Sequence, residues 1–269
     1  MYRQILIPVQ QPAEVEPLIR FAAMLLEADG EVRVLHVIPT TTLPQVTREW
    51  RASVNLVIPA HEAGAALDVR VDPEVRASTD VPGEILESAE SHEVDAILMT
   101  LRGDKRSRNP FVGHTASGIL HHARSDVLIV NRLTLGAGRL PRVLLPSFRA
   151  APLPRAMQVA EEIAVHNEGA AITTLAIGPR AIGDAEETPD IEERTSRGVL
   201  VTHRRWAFSG SLMRRARLPA VILQAAQRER FGLLLVSEEG DQAGGALLTR
   251  PFLEELFRAA PCPVLALRC

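Results

Sequence analysis

The stretch from Thr100 to Thr115 holds the densest chemistry in the chain. Arg102, Lys105, Arg106 and Arg108 lie between Leu101 and Gly113, around Gly103, and the run ends Gly113-His114-Thr115. Positive charge, glycines that let the backbone approach a ligand, and a helix start offering free N–H groups together suit an anion such as phosphate. The same run also reads as a solvated, mobile loop, and both readings stand at this point. No aromatic residue interleaves the basic ones before Phe111, so base stacking has little support and no nucleic-acid partner is expected. His114, His121 and His122 raise a metal site, but adjacent helical histidines diverge by about 100°. No nearby carboxylate or cysteine completes the set, so no metal is expected. Cys262, between Pro261 and Pro263, reads as a small buried residue, and Cys269 carries no role. The chain has no nucleophile with a spaced base, no Gly-x-Ser-x-Gly elbow and no Gly-x4-Gly-Lys-Ser/Thr loop. An enzyme is therefore not expected.

Strands and helices must position that loop. It leaves the apolar run Ala96–Met99 and meets a helical pattern over Thr115–Ala123. Ile5–Val9 is a short apolar run of the kind buried on both faces of a parallel sheet. Val15, Leu18, Ile19, Ala22, Leu25 and Leu26 then mark one face of a helix, with Asp29-Gly30 as its stop and Gly30 in a left-handed cap. Strands follow at Val32–Ile38 and Val69–Val75. Thr40–Ala66 between them is irregular, with a helix around Val46–Val57. A helix from Pro82 to Ser91 and a strand at Val127–Val130 complete the unit. In an open parallel sheet, ligands sit beyond the carboxyl ends of strands where strand order reverses. The loops to inspect follow Val9, Ile38 and Met99.

The unit occurs twice. Ile5-Leu6-Ile7-Pro8-Val9-Gln10 resembles Val143-Leu144-Leu145-Pro146-Ser147-Phe148. Pro82, Ile85, Leu86 and Ala89 recur as Pro219, Ile222, Leu223 and Ala226. The predicted domains are residues 1–135 and 139–269, with glycines 136 and 138 at the junction. In the second copy, helices are expected near Pro154, Pro219 and Pro251, and the last three strands near Trp206–Leu212, Leu233–Val236 and Val264–Leu267. Its acidic stretch Asp184–Glu193 reads as a surface insertion replacing a helix. Arg204-Arg205 forms part of a basic patch that could pair with that stretch. Alternating strands and helices imply an α/β fold with parallel sheets and helices on both faces. Thirty basic against 33 acidic residues give a net charge of −3 in 269 residues, which also argues against a dedicated nucleic-acid binder. No apolar run approaches the ~20 residues that span a bilayer, the N-terminus lacks signal-peptide anatomy, and there are two cysteines. A cytoplasmic protein without membrane insertion is expected.

The whole chain resembles a tandem pair of universal stress protein domains. The residues that carry the resemblance are the opening Ile5-Leu6-Ile7-Pro8-Val9, Leu35-His36-Val37, and the endings Val127-Leu128-Ile129-Val130 and Pro261-Cys262-Pro263-Val264-Leu265. The resemblance implies flavodoxin/Rossmann-like domains of strand order 3-2-1-4-5, forming an intramolecular pseudo-dimer. ATP-binding members of that family have a Gly-x2-Gly-x9-Gly-Ser/Thr loop after strand four and an Asp after strand one. Here the loop reads Thr100-x2-Gly103-x9-Gly113-His114, and the Asp position is Gln10. In the second copy the corresponding positions are Gly240, Arg250, Pro251 and Phe148. The candidate ligand residues are therefore Pro8, Val9, Gln10, Val37, Thr100, Gly103, Gly113, His114 and Thr115, all in the first copy. The implied function is regulatory or sensory, without a required cofactor, with ATP or AMP as the ligand to test in the first copy alone. The other reading is an assembly or interaction module that binds no nucleotide, such as a regulatory domain associated with a membrane transporter. The expected partner is another protein or a second copy of the tandem chain.

Overall fold

A computed structural model describes residues 1–40, 42–101, 113–131, 140–147, 152–167, 169–179, 190–208, 218–238 and 248–269. The described residues fall into two compact units, the first ending at 131 and the second beginning at 140.

The first unit runs β1 (Tyr2–Pro8), α1 (Pro12–Ala23), β2 (Leu26–Ile38), α2 (Leu43–Leu67), β3 (Arg70–Ala77), α3 (Val81–Ser91), β4 (Ala96–Thr100), α4 (His114–His122) and β5 (Asp126–Val130). Its strands are parallel, in the order β3-β2-β1-β4-β5. The sequence of β1 explains its central place. Ile5, Leu6 and Ile7 are fully buried, so neither face meets water. Helices α1 and α2 pack together, as do α3 and α4. Strand order reverses between β1 and β4, so their carboxyl ends diverge around a crevice.

The second unit runs β6 (Arg142–Ser147), α5 (Pro154–His166), β7 (Ala171–Pro179), β8 (Ile191–Arg194), β9 (Leu200–Phe208), α6 (Leu218–Glu229), β10 (Leu233–Glu238), α7 (Arg250–Ala259) and β11 (Val264–Arg268). Five of its strands repeat the parallel order, as β11-β10-β6-β7-β9. The sixth, β8, pairs antiparallel with β9 at the edge.

Several boundaries differ from the sequence expectation. Helix α1 ends at Ala23, and Gly30 lies inside β2 without a positive φ. Pairing decides this. Tyr2 lies opposite Leu26, its N–H donates to the Leu25 carbonyl, and the N-terminal ammonium binds Glu27 at 2.8 Å. Helix α2 runs 25 residues, straight through Pro59, where a helix around Val46–Val57 was expected. Its buried face of Ser53, Leu56, Ala60, Ala63 and Gly64 outweighs the proline penalty of ~3 kcal/mol. Strand β9 begins at Leu200, six positions before the expected Trp206. The end of the acidic stretch is not an insertion loop: Ile191–Arg194 is strand β8. Arg204 on β9 pairs with Asp190 at 2.8 Å and with Glu229 on α6, and Glu229 also binds Arg142 at 2.9 Å. Of the expected acidic–basic pairing, Arg204 with Asp190 is present. Residues 180–189 and 209–217 lie outside the described residues.

Helix α2 approaches β3 closely at Gly64. A Cβ there would stand 2.6 Å from Val71 Cγ2 and 2.8 Å from the Val69 carbonyl oxygen. Backbone cannot yield as a flexible side chain does. Gly64→Ala is therefore expected to destabilise the first unit by ~1–2 kcal/mol despite alanine's better helix propensity. Urea unfolding checks it, and an unchanged midpoint would show that α2 shifts freely on the sheet.

Candidate functional site

At the reversal point, one small cavity opens at the carboxyl ends of β1, β2 and β4. Pro8, Val9, Gln10, Val37, Thr100 and Thr115 line it, all candidates on sequence grounds. Leu35, Met99, Val81 and Ile85 supply apolar wall, and Glu14 supplies a carboxylate. Gly113 and His114 start α4 without lining the cavity, and His114 is exposed. Gly113 has φ −64, and a Cβ on it would meet nothing within 4 Å, so the fold itself does not require glycine there. Gly103 and the basic run Arg102–Arg108 lie outside the described residues.

Glu14 is the residue that motif reading missed. It sits in the first turn of α1 and is only 5 % exposed. Its Oε2 accepts hydrogen bonds from the backbone N–H groups of Gln10 and Gln11, each at 3.1 Å. Its Oε1 accepts from the Thr100 hydroxyl, also at 3.1 Å. One buried side chain thus joins the β1–α1 turn, the start of α1 and the end of β4. The signal was local: Gln11-Pro12-Ala13-Glu14 has the spacing of a capping box, with proline at a first-turn position.

His36 and His121 bond backbone carbonyls. His36 Nδ1–H donates to the Val9 carbonyl at 3.0 Å, tying the end of β2 to that of β1. His121 Nδ1 bonds the Ser117 carbonyl at 2.7 Å, and the rings of His121 and His122 stand 6.5 Å apart, inclined by 51°. Among the described residues, no group of three or more His, Cys, Asp or Glu side chains could hold a metal ion. Asp95 accepts from the N–H groups of Arg3 and Gln4 at 2.6 and 2.9 Å, securing the opposite end of β1.

Residues 1–131 match the model of the universal stress protein family. The first unit belongs to that family. The whole chain is also similar in fold to solved structures. One is a universal stress protein from Archaeoglobus fulgidus DSM 4304, at 18% identity and TM-score 0.67, covering 98% of this chain and 97% of that one. Another is a functionally unknown protein from Pseudomonas aeruginosa PAO1, at 11% and 0.60, covering 99% and 92%. A third is the cytoplasmic domain of a prokaryotic cation chloride cotransporter, at 12% and 0.60, covering 99% and 95%. No curated protein sequence matches the chain.

The cavity among the described residues is small. The cavity measures about 40 Å³, room for roughly three waters, whereas small-molecule pockets run to about 300–1,000 Å³. The carboxylate opposes phosphate. At an effective dielectric of ~20, two like unit charges about 4 Å apart repel by about 4 kcal/mol. The helix-terminus dipole returns at most ~2 kcal/mol. In the second unit, α5 has no acidic residue in its first turn and no side-chain cap. Its α7 carries a proline at a first-turn position, which removes one backbone donor.

Glu14→Ala strands two backbone donors and the Thr100 hydroxyl. It is expected to cost ~1–3 kcal/mol, with Glu14→Gln milder because it keeps an acceptor. Equal stability of Glu14→Ala and the parent in urea would remove the structural role assigned to Glu14.

Cys262 is half-buried rather than fully buried, and burial pushes its thiol up to about 11. At pH 8 about one thiol in a thousand is then ionised. Alkylation of Cys262 is expected to be slow at pH 8 and to rise about tenfold per pH unit until pH approaches 11. A rate plateau already at pH 8 would contradict this.

Proposed function

We propose that the chain is a regulatory assembly protein of the cytoplasm, not an enzyme, and that it acts through protein contacts. In this reading the first-unit cleft is held shut against nucleotides. The observation that carries it is the Glu14 clasp. The Gln10 and Gln11 N–H groups and the Thr100 hydroxyl, donors at the mouth of the cleft, are engaged by a buried carboxylate of this chain. Thr100, where ATP-binding relatives have the first glycine of the loop, extends the side chain that closes the clasp. Among the described residues, no helix is long and apolar enough to cross a membrane. Self-assembly of the tandem chain, about domains at 1–135 and 139–269, is part of the proposal. The likeness to a cotransporter's cytoplasmic domain is one of fold, so the partner proposed here is protein without further identity.

A second reading keeps adenine nucleotide binding in the first unit. It is favoured by the gathering of Pro8, Val9, Gln10, Val37, Thr100 and Thr115 around one cavity. Gly103, Gly113 and His114 belong to the same proposed site, on the loop and helix start that would face phosphates.

Isothermal titration separates the two. The intact chain is expected to give no binding heat with ATP, ADP or AMP at millimolar concentration. A Thr100→Gly/Glu14→Gln variant, which opens the clasp and removes the charge, is expected to gain measurable binding. Relief of ~4 kcal/mol corresponds to roughly a thousandfold in affinity. Micromolar binding by the unaltered chain, lost in Gly113→Pro with the fold intact, would overturn the closed-cleft reading in favour of the second.

A further inference from the structure

Among the described residues, the outward face of α2 has no covering partner. Leu43 is 80 % exposed, Trp50 52 %, Val54 50 % and Ile58 51 %, while Ser53, Leu56, Ala60, Ala63 and Gly64 bury the opposite side. At 100° per residue the four exposed apolar residues fall on one stripe, which Thr47, His61 and Ala65 continue. Scattered exposed apolar residues need no explanation, but four on one stripe about 23 Å long do.

The spacing of that stripe is symmetric. Turning α2 end for end about Val54 sets Leu43 against Ala65, Thr47 against His61 and Trp50 against Ile58, with Val54 against itself. Large meets small at the ends, and the two largest apolar groups meet near the centre. Charge follows the same symmetry. Arg48 and Arg51 flank the first half of the stripe, and Glu62 flanks the second half on the same side. In the reversed helix Glu62 comes within about two residues, roughly 3 Å along the axis, of the level of Arg48. All three side chains are exposed and able to reach across.

We propose that α2 is a docking surface for α2 of a second copy of this chain, packed antiparallel about a two-fold axis through Val54. The proposal rests on the assembly reading above and gives it a location. An isologous contact requires a self-complementary patch, and both the apolar spacing and the charge order of α2 are self-complementary about one point. A single helix pair lies at the small end of the interface range, below about 1,200 Å², so the dimer is weak and concentration-dependent.

The test uses the full chain with Cys262→Ser and Cys269→Ser. Val54→Cys in that background is expected to form an intermolecular disulfide on mild oxidation, because the axis places position 54 beside its own copy. Glu49→Cys, on another face of α2, is the control. Sedimentation equilibrium of the cysteine-free chain is expected to show association, weakened about tenfold or more by Ile58→Glu. Arg48→Glu and Glu62→Arg should each weaken it several-fold, and their combination should restore it. Circular dichroism confirms that each variant is folded. A chain monomeric at all concentrations would overturn both this proposal and the self-assembly it rests on. Association that ignores Ile58→Glu, or cross-linking of the Val54→Cys variant no faster than that of the Glu49→Cys variant, would overturn this surface while leaving self-assembly in place. A monomeric chain that floats with lipid vesicles, and loses this with Ile58→Glu, would assign the stripe to a membrane and overturn the proposal.

Discussion

A carboxylate buried at the sheet's reversal point dominates the first unit. In a parallel α/β sheet the strand ends around that point diverge, and the helix that starts there exposes unpaired N–H groups. Something must satisfy them. In this chain Glu14 does so from within, and the same side chain draws in the Thr100 hydroxyl from β4. The site's donors are thereby committed to the fold. A position where the architecture invites an anion instead holds an internal carboxylate.

The two units share a scaffold and divide in detail. Both lay five parallel strands in the same order, since each has a buried apolar central strand and helices that return the chain to the sheet. They part between their second and third parallel strands. The first unit places α2 there, with one face on β3 and a long apolar stripe outward. The described part of the second places β8 there, a short edge strand whose four residues are exposed and largely charged. Short charged edges resist further strand pairing, so β8 closes the sheet chemically. Arg204 fastens it by joining Asp190 beside β8 to Glu229 on α6. His203 adds a link from Thr174 to Glu193, at 2.8 and 2.9 Å. The features that distinguish the copies thus sit on the crossover, where a parallel fold tolerates replacement.

Much of this was legible in the chain. The apolar runs at Ile5–Ile7, Ala96–Met99 and Val127–Val130 are buried strands because each is too short for a helix and apolar throughout. The prolines at 12, 82, 154, 219 and 251 stand in the first turns of helices, where a missing N–H costs nothing. The expected gathering of residues after β1, β2 and β4 follows from strand order, and six of the nine candidates do line one cavity. Misreadings arose where long-range pairing overrode local signals. Asp29-Gly30 has the look of a helix stop, yet pairing with β1 draws Leu26–Gly30 into β2. Pro59 argues for a break, yet the buried face of α2 carries the helix through it.

The sequence by itself determined the duplication, the α/β class, the order of elements and the loops that face the crevice. Each of these depends on periodicity, turn chemistry or the spacing of repeated residues, all of which are local. Tertiary structure alone decided that Glu14 and Thr100, 86 residues apart, share a hydrogen bond. It decided that the cavity they line is small, and that one face of α2 stays uncovered among the described residues while the other seats on β3. The reason is physical. A capping carboxylate and an amphipathic helix can be recognised from their neighbours in sequence, but what they touch depends on which distant strand end or helix face folding brings alongside.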